Sequence, residues 1–155
     1  ISSELFGNDM IDKVYNAKIL EFAGNISHIG ALEDADAEAI AHSKLCGSKV
    51  KIWLKVSDGK VSDFGHDVKA CALGQATSSI MAKHIIGSTP DELRVVRDQM
   101  WAMLKENGTP PEGRFEDLKY LEPVKEYRAR HASTMLTFDA VVDALDQIEQ
   151  AKVAV

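Results

Sequence analysis

The alternation of apolar and polar residues changes along the chain, and it places strands near the middle and helices on either side. Val50, Ile52 and Leu54 alternate with mostly basic residues, a period of two that is typical of a strand with one buried face. The Asp58-Gly59 pair that follows favours a tight hairpin turn. Residues 61–68 then return as a second strand, so the pattern predicts an antiparallel hairpin.

Elsewhere apolar residues recur every three or four positions, as they do in amphipathic helices. The clearest helix start lies at residues 88–92, where a hydroxyl cap and a proline precede acidic residues that face the helix dipole. The predicted elements are, in order, a helix over 9–23 capped by Asp9, a strand over 35–41, strands over 50–56 and 61–68, a helix over 72–86, a helix from 88–92 to Asn107, helical turns over 114–121, and a helix over 133–151. This order predicts an α+β fold, a small antiparallel sheet of about three strands packed with helices, in one domain over 1–155.

The composition limits the classes of function. The chain has 155 residues, 45% of them apolar and 27% charged, which is ordinary for a soluble globular domain. Its 24 acidic residues exceed its 18 basic ones and no basic stripe is present, so we expect no nucleic-acid partner. No apolar run approaches about 18 residues, and the first residues lack the plan of a signal peptide. We therefore expect a cytoplasmic protein with no membrane partner.

The two cysteines are the residues most able to carry chemistry, because the sequence lacks a phosphate loop and the common hydrolase and metalloprotease motifs. Two cysteines form neither a disulfide framework nor a four-thiolate metal site within one chain. Cys46 precedes the hairpin, and Cys71 follows it at the start of a helix, where unpaired N–H groups stabilise a thiolate. Because the two strands are antiparallel, the two thiols can meet at one end of the hairpin.

Other interpretations of these residues stay open. Unmatched cysteines in a reducing compartment are most often small buried apolar residues, and alternatively Cys71 serves as the thiol of an enzyme. For His66 and the other histidines, a solvated or hydrogen-bonded ring is the expected state. Ser133 and His131 do not form a nucleophile–base pair by spacing, because residues two apart on a helix face different directions. We expect Ser133 instead to be the N-cap of the last helix.

Residues 45–81 carry a series of short motifs in a fixed order. The series is Cys46-Gly47-Ser48, then Gly59-Lys-Val61-Ser-Asp63, then Cys71-Ala72-Leu73 before a helix rich in serine and alanine. It resembles the U-type iron–sulfur cluster scaffold family, the NifU N-terminal, IscU and SufU proteins, whose pattern is Cys-Gly-Asp, Gly-x-(Ile/Val)-x-Asp and Gly-Cys-Ala-Ile. Residues 25–30 and 130–138 resemble two further family stretches. The long segment between Cys71 and Ser133 is similar to the insert of the SufU branch.

The resemblance implies a NifU/IscU-like fold and a scaffold rather than an enzyme. On such a scaffold, iron and sulfur from a cysteine desulfurase form a nascent cluster, which passes to apo-acceptor iron–sulfur proteins. The implied cofactor is a transient iron–sulfur cluster or zinc, and a homodimer is one implied assembly. The implied site residues are Cys46, Cys71 and Ser133 for the cluster, Cys46, Cys71 and His131 for a metal ion, and Ser48 and Arg130 in the lining of the pocket.

Two serines stand where the family has metal ligands. Ser48 replaces the aspartate of Cys-Gly-Asp, and Ser133 replaces the third cysteine. A serine hydroxyl does not ionise near neutral pH, so both changes weaken the binding of zinc or iron. The chain is therefore either a scaffold that relies on Cys46, Cys71 and His131, or a degenerate member that binds proteins of the same pathway without carrying a cluster.

Overall fold

The structure is a computed structural model that describes residues 15–44 and 47–153. Its elements are, in chain order, helix α1 (Ala17–Ala23), strands β1 (Ala37–His42), β2 (Lys49–Ser57) and β3 (Lys60–Lys69), helices α2 (Ala72–His84) and α3 (Pro90–Lys105), a 3₁₀ segment (Gly113–Glu126), a 3₁₀ turn (Arg128–Arg130) and helix α4 (His131–Val153). The strands form an antiparallel sheet in the order β1-β2-β3, which confirms the predicted α+β fold.

The sheet is covered on one face by α4, as the alternation along β2 predicts. Val50, Ile52 and Leu54 are fully buried, because alternate residues of a strand point to the same face. Phe138 of α4 is also fully buried, and α4 contacts both β1 and β2. Sheet and helix therefore share one apolar core.

β1 forms although alanine and glutamate are poor strand formers. The strand predicted over 35–41 is observed at Ala37–His42. It pairs with β2 along its whole length, and Ala37 and Ala39 are buried. Pairing with β2 and packing against α4 therefore outweigh the weak strand propensity of this segment.

The start of α4 differs from the prediction. The helix begins at His131, so the expectation that Ser133 is its N-cap is wrong. The 3₁₀ turn Arg128–Arg130 leads directly into α4. Ser133 lies in the first turn of the helix, and its hydroxyl donates a hydrogen bond back to the carbonyl of Arg130, 3.1 Å away. The amide of His131 donates to the carbonyl of Arg128, so the 3₁₀ turn provides the partner for the first N–H group of the helix.

The other helices follow the predicted pattern. α2 and α3 occupy the segments predicted at 72–86 and after 88–92, and the turns predicted over 114–121 belong to the longer 3₁₀ segment. α1 is described from Ala17 onward, whereas Asp9 and the other residues of its predicted first turns lie outside the described residues. Within the described part of the chain, no helix is long and apolar enough to cross a membrane.

Residues 27–30 run along the outer edge of β3. The amide of Gly30 donates to the carbonyl of His66 at 2.9 Å, and the amide of His66 donates to the carbonyl of His28 at 3.1 Å. The His66 side chain is fully buried. Its Nε2–H donates to the carbonyl of Ser27 at 2.7 Å, whereas Nδ1 is buried without a hydrogen-bond partner among the described residues. The neutral ring therefore fastens this loop to the sheet.

We expect the free energy of unfolding to decrease as the pH falls below about 6.5. Burial lowers the pKa of His66 from its ordinary value of 6.5 and outweighs the Ser27 hydrogen bond, which raises it. Below that pH the unfolded chain binds a proton that the folded chain does not bind. Stability is then lost at up to about 1.4 kcal/mol per pH unit, until the lowered pKa of the folded state is reached.

Urea unfolding between about pH 7.5 and about pH 5.5 measures this loss. The variant His66→Phe removes the titrating group and should show a weaker pH dependence than the parent chain. His42→Gln is the matched control, because His42 is an exposed histidine of β1 and its replacement leaves the buried ring and its loop in place. If the parent chain and His66→Phe lose stability in parallel, His66 is not the group responsible.

Candidate functional site

One end of the β2–β3 hairpin carries the residues that the cysteine motifs single out. Lys49, the first residue of β2, pairs with Lys69, the last residue of β3. Cys71 follows as the N-cap of α2, and Ser48 immediately precedes β2. Cys46 lies outside the described residues, so its convergence with Cys71 stays a prediction.

Cys71 contacts Ser133 where the start of α2 meets the start of α4. The thiol of Cys71 donates to the hydroxyl oxygen of Ser133, with 3.7 Å between Sγ and Oγ. Cys71 is partly exposed, whereas Ser133 is 1% exposed. Because the one proton of the Ser133 hydroxyl is donated to the Arg130 carbonyl, the oxygen presents its lone pairs to the thiol.

Gly74 explains why the two helices come close enough for this contact. A Cβ atom at position 74 would lie 2.8 Å from the Cβ of Ala70 and 3.0 Å from the carbonyl oxygen of Ser133. Only glycine leaves this space to the backbone of α4. The small residues of α2 predict close packing, but the identity of the packing partner is not visible in the sequence.

Ser48 and Arg130, the two residues predicted to line the pocket, make different hydrogen bonds. Ser48 is 4% exposed, and its carbonyl accepts a hydrogen bond from the amide of Ser43 at 2.9 Å, which joins the two ends of the β1–β2 connection. Arg130 is exposed, and its carbonyl accepts hydrogen bonds from the hydroxyls of Ser133 and Thr134. Arg130 thus supports Ser133 through its backbone.

His131 is directed away from this pair. Its Nε2 lies 3.1 Å from the carbonyl oxygen of Val124 and 3.2 Å from that of Lys125, both at the end of the 3₁₀ segment. Residues two apart on an α-helix are separated by about 200° around its axis. Contrary to the expectation that His131 and Ser133 line one pocket, the structure brings Ser133 to Cys71 and turns the His131 ring towards the 3₁₀ segment.

The distance between Cys71 and Ser133 suits two ligands of one tetrahedral ion, but the chemistry of the donors does not. Zinc–thiolate bonds of about 2.3 Å place two tetrahedral ligands about 3.8 Å apart, close to the 3.7 Å observed. A serine hydroxyl is a neutral, weak donor. Among the described residues, no three His, Cys, Asp or Glu side chains are grouped to hold a metal ion. The described donors alone therefore do not fit a resident metal ion.

Comparison with known proteins gives this geometry a context. The family model described as the NifU-like N terminal domain matches residues 14–133. A crystal structure of a nitrogen-fixing NifU-like protein (N-terminal) from Brucella abortus is 64% identical and has a TM-score of 0.90, over 91% of this chain and 98% of that one.

Two more distant relatives also align with most of this chain. The iron–sulfur cluster assembly scaffold protein IscU of Thermotoga maritima is 27% identical over 137 residues, which are 88% of this chain and 96% of the relative. A crystal structure described as a scaffold protein for the SUF system, from Fervidobacterium islandicum, is 21% identical with a TM-score of 0.78 and shares the fold, over 86% of this chain and 98% of that one. The chain belongs to the NifU-like N-terminal domain family.

Proposed function

We propose that the chain is a scaffold protein of iron–sulfur cluster assembly, on which iron and sulfur are held as cargo. The observation that carries the proposal is the contact between Cys71 and Ser133 at a tetrahedral ligand spacing. The motif resemblance implies that these two residues stand at ligand positions of the family. The Thermotoga maritima relative, which aligns over most of this chain, is named as such a scaffold. The chain acts in this role as a binding platform rather than an enzyme.

In this proposal Cys46 and Cys71 supply the thiolates, and Ser133 supplies a neutral oxygen. A cysteine desulfurase delivers sulfur as a persulfide. The thiolate of Cys71 attacks the outer sulfur, the S–S bond of the donor breaks, and the donor cysteine leaves as a thiolate while Cys71 becomes the persulfide. Because fewer thiolates hold the cargo than in a four-thiolate site, a cluster bound here passes readily to an apo-acceptor protein.

Anaerobic loading tests the proposal. The chain is incubated with a cysteine desulfurase, ferrous iron and excess cysteine, which is the sulfur source and whose thiol also reduces persulfide sulfur to sulfide while it is oxidised to cystine. The bound iron, sulfide and persulfide are measured after gel filtration. We expect all three to accompany the parent chain, and Cys46→Ala or Cys71→Ala to lose most of the bound sulfur. Ser62→Ala is the matched control, since Ser62 is an exposed hydroxyl of β3 bonded to the Lys55 carbonyl. The proposal fails if the parent chain takes up none, or if the cysteine variants load normally.

A second candidate is an interaction module that binds the desulfurase or an acceptor without carrying a cluster. It is favoured by one observation, that the described residues contain no group of three strong metal donors. This candidate predicts that the metal-free chain binds a cysteine desulfurase in calorimetry and that Cys71→Ala leaves the affinity unchanged. Scaffold function predicts bound iron and sulfide in the loading experiment.

A further inference from the structure

We propose that a second site, separate from Cys71, binds a small aromatic anion such as a carboxylate or a phosphate ester. The site is the Trp101 cleft, which lies between the end of α3, the end of the 3₁₀ segment and the start of α4. Its volume is about 640 Å³, within the range of roughly 300–1,000 Å³ that is common for small-molecule sites. Trp101 and Leu104 supply its apolar wall.

The charges around the cleft favour an anion. Lys105, Lys125 and Arg128 line it, against the single carboxylate of Glu126. None of these three cations takes part in an ion pair within the described ranges 15–44 and 47–153. A negatively charged group in the cleft would be a counter-ion for these cations, since Glu126 is the one carboxylate among the lining residues.

The start of α4 adds a second attraction. His131 and Ala132, the first two residues of this long helix, line the cleft, and the N–H groups of a first helical turn carry a partial positive charge. His131 is 6% exposed. Its Nε2–H is donated to two carbonyls, and its Nδ1 has no hydrogen-bond partner among the described residues. The His131 ring therefore forms part of the buried wall of the cleft.

Trp101 determines the shape of the ligand. Its ring is partly buried, and Lys105 Nζ lies 4.4 Å from the ring centroid, a cation–π contact that keeps charge beside the aromatic face. In the proposed complex a flat apolar body packs against the part of the indole that Lys105 does not cover, while its anionic group reaches Lys125 or Arg128. This is why we assign an aromatic anion rather than inorganic phosphate or a neutral apolar molecule.

Isothermal titration calorimetry with three probes tests the assignment. The probes are 1-naphthoate, 1-naphthyl phosphate and the neutral 1-naphthalenemethanol, and NMR signals of the His131 ring locate the binding. We expect one anion to bind per chain, with a dissociation constant of about 1 mM or below. The neutral probe should bind at least about tenfold more weakly, and the anions should bind more weakly at high salt. Binding of only one anion identifies carboxylate or phosphate as the natural group and supports the site.

Variants separate this site from a general apolar patch. Trp101→Leu and Arg128→Ala should each weaken binding at least about tenfold, and Arg128→Ala keeps the fold because the side chain is exposed. Lys119→Ala is the matched control: its ammonium lies 5.4 Å from the Tyr120 ring, outside the cleft. Cys71→Ala should leave binding unchanged, because the site is independent of the proposed scaffold function. Equal binding of the neutral probe, unchanged binding by both cleft variants, or no binding of either anion overturns the proposal.

Discussion

Replacing Ser133 by cysteine is expected to raise the affinity of the chain for Zn²⁺ by about 100-fold. A site of four strong ligands binds zinc with about 10–16 kcal/mol, so one added thiolate contributes about 3 kcal/mol, or two factors of ten. The new sulfur would replace an oxygen that lies 3.7 Å from the sulfur of Cys71, close to the spacing of two thiolates on one zinc ion. The gain arises because the geometry is already present and only the donor is weak.

A competition titration against a chromophoric chelator, under reducing conditions, measures this affinity. Ala132→Cys is the matched control, because Ala132 is an exposed residue of the same helix that lines the Trp101 cleft instead of facing Cys71. Removing Cys71 in the Ser133→Cys background should abolish the gain. A gain as large in Ala132→Cys, or none in Ser133→Cys, would show that Cys71 and position 133 do not share a metal ion.

The β2–β3 hairpin could be predicted from the sequence because its cause is local. A period of two in β2 and an Asp-Gly turn are enough to indicate the hairpin, and β2 and β3 pair from Lys49–Lys69 to Ser57–Lys60. The register shift between Lys55 and Val56 is not visible in that pattern. The start of α4 could not be predicted in the same way. It depends on the 3₁₀ turn that precedes it, and no single capping residue marks that turn.

The candidate site could likewise be predicted only in part. The position of Cys71 at a strand-to-helix junction follows from the change in periodicity, and the structure confirms that position. The partner of Cys71 depends instead on how closely α2 and α4 approach, which is permitted by the missing side chain at Gly74. The opposite directions of His131 and Ser133 depend on where α4 begins. The sequence predicts a helix from Ser133, whereas the observed helix begins at His131, so both residues lie on it about 200° apart. A metal-ligand role for His131 conflicts with that spacing.

Replacing Gly65 by valine is expected to destabilise the chain by about 3 kcal/mol or more. A Cβ atom at position 65 would clash with the carbonyl oxygen of Gly30 and lie 3.4 Å from the Leu32 side chain. Gly30 cannot move without breaking its hydrogen bond to the His66 carbonyl. The loop would therefore leave the edge of β3, and the carbonyl that pairs with the buried His66 ring would leave with it.

Urea unfolding measures this loss, with Gly24→Ala as the matched control. Gly24 has an ordinary helical φ of −85°, and a Cβ there would lie 3.4 Å from the nearest carbonyl oxygen, so its replacement should change stability by less than about 1 kcal/mol. The effect of Gly65→Val should extend to α2, because Ser79 donates a hydrogen bond to the Asn25 carbonyl at the other end of the loop. Amide hydrogen exchange should therefore quicken at His66 and around Ser79 in α2. Unchanged exchange there, with stability close to that of the parent chain, would mean that the loop does not fasten β3 to the helix that carries Cys71.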